Sequence, residues 1–235
     1  MKPTFLIATS VFVAACALAA DANPKEDISA AAKKLNDQHN YSWKSTVEFG
    51  NFTGSTDGKV NKDGVVALTM TFGDSTTVAF VKGDKAAIKT ADQDWQSLEE
   101  LAAAAGSEPG PRQFLVRRLR NFKTPAEDIQ DVLAKTKEVK KDADAYTADL
   151  TEDGAKDQLS FGGRRSGNAP EAKNAKGSVK LWAKDGVLSK YQTKVQGTMN
   201  FNGDDRDIDR TTTIEIKDVG TTKIEIPEAA QKKMS

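Results

Sequence analysis

Apolar and polar side chains alternate strongly between residues 41 and 49. Tyr41, Trp43, Val47 and Phe49 take odd positions along with Ser45, while Ser42, Lys44, Thr46 and Glu48 fall between them. A period of two gives a strand one apolar face and one wet face. The same period recurs at Val66, Leu68, Met70 and Phe72, then at Val78 and Phe80, and a further strand is predicted over 85–91. Asp57-Gly58, Asp63-Gly64 and Lys82-Gly83-Asp84 read as turns. Strands that follow one another through such short turns form antiparallel hairpins rather than βαβ units.

Helical spacing appears in two places. Ile28, Ala31, Ala32 and Leu35 share one side of a short helix. Residues 94–135 form a helical insert of three segments. In the first, Ser97 and Glu100 match a capping box and Gly106 ends the helix. The stretch Glu108-Pro109-Gly110-Pro111 breaks the chain like a hinge before a helix over 112–122, where Leu115, Leu119 and Phe122 lie together. Thr124-Pro125-Ala126-Glu127 then opens the third, with Ile129, Val132 and Leu133 inside.

Strands return over 137–140 and 146–150. Glu152-Asp153-Gly154 reads as a turn, 158–161 as a strand and 162–177 as a long exposed loop. Alternation resumes over 178–184, where Trp182 has the opposite parity from Val179 and Leu181. Val187, Tyr191, Val195 and Met199 line one face of the next strand, and Ile208, Thr212, Ile214 and Ile216 that of another. Ile224 and Ile226 mark the last, ended by Pro227. The sum is about ten strands, mostly amphipathic. Half-wet strands exclude an all-parallel sheet buried on both faces. The expected fold is α+β: one large curved antiparallel sheet, a half-barrel. A short N-terminal helix and the insert 94–135 pack in its hollow as a lid, within a single domain over 21–235.

The first twenty residues follow none of these patterns. Lys2 is their only charge, an apolar run follows from Phe5, and Ala17-Leu18-Ala19-Ala20 gives small residues at the exit. This is the form of a secretory signal peptide over 1–20. Val13-Ala14-Ala15-Cys16 also fits a bacterial lipobox, in which the signal ends at Ala15 and Cys16 becomes the lipidated first residue. The two alternatives place the protein free in the periplasm or tethered to a membrane through Cys16. Among 235 residues there are 34 Lys plus Arg, 34 Asp plus Glu, one His and one Cys. The zero formal charge argues against electrostatic capture of nucleic acid. The single His39 and single Cys argue against His/Cys metal clusters, disulfide scaffolds and Cys–His catalysis.

The order of elements resembles a known group. A leader, an N-terminal helix, Tyr41-Ser42-Trp43 opening a run of hairpins, a helical insert, long C-terminal hairpins and the ending 218–227 together look like the LolA/LolB-like periplasmic lipoprotein-carrier superfamily, including LppX/LprG-type lipid-carrying lipoproteins. The resemblance implies a half-closed antiparallel barrel whose helices cover a hydrophobic cavity for acyl chains. It is a likeness of architecture over most of 25–230, and no residue matches the lid-locking positions of the true carriers.

The candidate cavity lining is the apolar strand face: Trp43, Val47, Phe49, Leu68 and Met70, continued by Phe72, Val78, Phe80 and Tyr191. Such a wall holds lipid by burial alone, and equally suits plain core packing. Arg117, Arg118 and Arg120 on an amphipathic helix are candidates for lid or head-group contact. Asp204-Asp205-Arg206-Asp207 does not have EF-hand spacing and reads as a charged hairpin tip. Gly162-Gly163-Arg164-Arg165 lacks the helix a P-loop needs. No nucleophile–base pair is visible, so the expectation is a non-enzymatic protein without cofactor or metal. It would bind a lipid or an acylated protein, with a membrane surface as a further partner. The alternative is an interaction or scaffold module with a filled core.

Overall fold

The computed structural model describes residues 23–38, 40–106, 110–160, 172–201 and 204–235. The proposed leader with Cys16, and also His39, Pro109 and the segment 162–165, lie outside the described residues. Helix α1 (Pro24–Gln38) buries Ile28, Ala31, Ala32 and Leu35, the four positions whose spacing predicted it. Strands β1 (Tyr41–Phe49), β2 (Phe52–Val60), β3 (Val66–Phe72), β4 (Ser75–Lys82), β5 (Lys85–Thr90) and the short β6 (Gln96–Ser97) follow through tight turns. Then come α2 (Leu98–Ala105), α3 (Pro111–Arg120) and α4 (Pro125–Ala134). The capping box of α2 forms, Ser97 and Glu100 satisfying each other's backbone amides, and at α4 the Glu127 carboxylate accepts from both the amide and the hydroxyl of Thr124.

The second run comprises β7 (Thr136–Asp142), β8 (Ala145–Leu150), α5 (Glu152–Leu159), β9 (Ala172–Lys184), β10 (Val187–Phe201) and β11 (Asp204–Lys217). Helix α6 (Glu228–Lys233) ends the fold. All eleven strands form one open antiparallel sheet in the order β6-β5-β4-β3-β2-β1-β11-β10-β9-β8-β7. Two hairpin series are thus joined along β1 and β11, with Trp43 opposite Ile216 and Val47 opposite Thr212. Helices α1 to α5 pack on one face of this sheet, where their apolar sides merge with those of the strands into the main core.

The structure corrects several local expectations. Asp57-Gly58 is not a turn but the middle of β2. Gly58 lies opposite Trp43, whose ring occupies the space a Cβ would need. Glu152-Asp153-Gly154 begins α5, because Thr151 accepts a hydrogen bond from the Gly154 amide at 3.1 Å and the two acids suit a helix start. That helix takes Gln158 and Leu159, read as a strand. Residues 172–177 are not loop: Ala172 and Ala175 are buried and open β9. Ile224 and Ile226 belong to no strand; they lie extended across the other face of the sheet, with α6 beyond them.

Candidate functional site

The inward face of β1 to β3 is set by register. Antiparallel partners share a face, so Tyr41, Trp43, Ser45, Val47 and Phe49 align with Val60, Gly58, Thr56, Gly54 and Phe52. Val66, Leu68, Met70 and Phe72 continue this face on β3. At one end the face is covered. Tyr41 sits under α4, its hydroxyl accepting from the Ala126 amide at 3.3 Å, and Trp43 stacks on Phe122 at 6.2 Å between centroids. At the other end the same face emerges from under the helices. Val47 and Phe72 are half-buried, while Phe49 is 39% and Phe52 44% exposed. Phe114 of α3 is likewise exposed, at 38%. Gly54 makes this possible, since a Cβ there would fall 2.8 Å from the Phe72 ring, which stacks on Phe52 at 6.1 Å.

Helix α3 contributes the charge at this mouth. The Arg118 guanidinium lies 5.5 Å over the Phe72 ring and donates to Thr56 Oγ1 at 3.2 Å. Burial lowers its pKa from the ordinary value, and no carboxylate among the described residues pairs with it. Arg117 and Arg120 are exposed, Arg117 lying 5.9 Å over Phe114. The three arginines are therefore not equivalent. A sequence signal for this exists: Arg118 stands three residues after Leu115 and four before Phe122, on the helix's apolar side.

The remaining candidates separate. Trp43, Leu68, Met70 and Tyr191 are in the packed core, at most 4% exposed. Val78 and Phe80 point to the opposite face, where they share a smaller cluster with Ala87, Trp95, Ile224, Ile226 and Ala230. Register requires this, because Leu68 pairs with Ala79 while Phe80 pairs with Ala67. The Val78 and Phe80 side chains point away from the inward wall to which the Trp43 ring belongs. They line a groove of about 430 Å³ on the outer face whose rim carries both signs of charge, Lys44, Lys59 and Lys223 with Asp57, Asp218 and Glu225. A second outer cleft of about 720 Å³ lies over β8 to β10 and is lined by Lys137, Lys176 and Lys194. Trp182 also faces outward, beneath the amines of Lys180 and Lys190 at 5.1 and 5.6 Å. The acids at the start of β11 are engaged across strands. Asp205 accepts from Asn200, Asp207 from Thr198 and Asp209 from Gln196.

A polar cluster fixes α4 to the sheet. Tyr191 donates to Asp128 Oδ2 at 3.1 Å and lies 3.4 Å from the Pro125 carbonyl. Arg210 donates to the Gln158 carbonyl; burial pushes it down to about 10, with Asp128 opposing, so it stays charged at neutral pH. Burial holds the Tyr191 hydroxyl well above its usual range, which keeps it a donor. Asp128 is raised, first by burial, with the Tyr191 hydrogen bond pulling the other way. A carboxyl raised in the folded state contributes its full stability below its unfolded pKa, near 3.8, and loses it as pH climbs through the folded value. Asp128→Asn keeps an acceptor for Tyr191 and removes the ionisation. Urea melts should show the variant gaining on the wild type between pH 3.5 and pH 7. A relative loss over that range would refute the assignment.

No family model matches the chain, and no curated protein is similar to it. No helix among the described residues is long and apolar enough to cross a membrane.

Proposed function

We propose that this is an exported, non-catalytic carrier or chaperone that holds a lipid, or the acyl chains of a lipidated partner, between the open sheet and its helices. One observation carries the reading. The inward apolar face of β1 to β3 runs out from under the helices at Val47, Phe49, Phe52 and Phe72 instead of ending with them. Each methylene buried there contributes about 0.8 kcal/mol. Helix α3 acts as the lid. It follows the Gly-Pro break at Gly110-Pro111 and rests on the sheet through Arg118, Thr56 and Phe72. Opening it extends the exposed mouth toward Trp43 and Met70. The leader delivers the chain to the periplasm, either free or anchored at Cys16.

Native mass spectrometry of the purified protein, followed by solvent extraction, tests this reading. Acyl-bearing species should accompany the wild type, and occupancy should fall several-fold in a Phe49→Ser/Phe52→Ser double variant. The near-complete burial of Trp43, Leu68, Met70 and Tyr191 favours a second reading, an interaction module whose hollow is filled by its own helices. A bare protein mass after mild purification, with no uptake of added lipid, would select that one.

A further inference from the structure

We infer that Arg118 receives the oxyanion head of a single-chain amphiphile, a carboxylate or phosphate monoester, whose chain lies along Phe72, Phe52 and Val47. The inference rests on the carrier reading and narrows it to a class of ligand. A guanidinium offers five donors in a plane, suited to two-point recognition of an oxyanion. Thr56 accepts one of them. No acidic side chain among the described residues pairs with the group, although taking a cation out of water is costly unless it is paired. The position is also the right one. Arg118 meets the inward face where apolar wall changes from covered to exposed, so a head held there leaves its chain against Phe72 and the neighbouring rings. Arg117 and Arg120, on the same helix but exposed, have no such contact with the sheet.

Three probes of one chain length separate the possibilities: oleate, oleyl phosphate and oleyl alcohol, each titrated below its micellar concentration into the full chain. Arg118→Gln should weaken the binding of an anionic probe by about tenfold or more, the loss of charge-assisted hydrogen bonds. It should leave oleyl alcohol within about twofold. The anion that loses more identifies the head. Arg118→Lys, which keeps charge but not the planar fork, should fall between, and it carries the test if the Gln variant does not fold. Arg120→Gln should bind all three as the wild type does. A purely structural role for Arg118 would move all three probes together, and that outcome overturns the inference. So does a Gln variant that binds every probe normally, which leaves the carrier reading standing. Failure of the wild type to bind any of the three overturns both.

Discussion

Gly58→Ala is expected to destabilise the protein by about 3 kcal/mol, the upper end of the usual cost of overpacking a core. One added methyl would ordinarily help a strand, because glycine there loses more backbone freedom on folding, worth about 0.5–1 kcal/mol in the opposite direction. The sign reverses because the Cβ would enter the Trp43 ring. That ring has no easy retreat. Tyr41 lies 5.8 Å and Phe122 6.2 Å from it, and only 4% of the residue meets solvent. Urea unfolding gives the measurement. The strongest control is a double-mutant cycle, in which Trp43→Leu should relieve most of the penalty of the alanine. A Gly58→Ala protein as stable as wild type would mean that Trp43 does not lie across β2.

The second large effect is expected at Leu35. Its side chain is fully buried on α1, a helix that packs on α4 and β10, so Leu35→Ala should cost about 3–4 kcal/mol, a transfer loss plus a cavity. Phe114→Ser removes a larger apolar group and should cost no more than about 0.5 kcal/mol, because that ring is exposed and closes no core. The contrast separates packing from function. If Phe114→Ser proves as damaging as Leu35→Ala, the Phe114 ring is a structural joint rather than an exposed surface group.

Much of this architecture is visible in one-dimensional pattern. Tyr41 to Phe49 alternates without ambiguity, and the capping boxes at Ser97 and Thr124 place their helices because the chemistry is local. Errors arise where a distant partner decides. Asp57-Gly58 has the composition of a turn, yet that glycine is there to admit an indole from the adjoining strand β1. Ile224 and Ile226 show a strand's period while belonging to no ladder; their partial burial comes from packing on Phe80, Ala87 and Ala230, the first two far away in sequence. That same packing explains Val78 and Phe80. Residues 78–81 are apolar at every position, so parity carries no information until one knows that both sides of β4 are covered. At the mouth, Phe49 and Phe72 were legible as wall, whereas Phe52, Gly54 and Thr56 acquire meaning only from the register that sets them opposite β1 and β3.

The strand order also has a kinetic side. Every strand but two pairs only with its neighbours in the chain, so each hairpin series can assemble by short loop closures. The ladder between β1 and β11 alone must wait for nearly the whole polypeptide, and it carries the largest closure entropy. During synthesis, β1 is paired to β2 on one side but leaves its other edge open over Ser42 to Phe49 until the final strand arrives. An uncovered edge of that kind invites pairing with other chains. The nascent protein is most prone to aggregate, and most in need of a holding factor, in the interval before this seam zips shut.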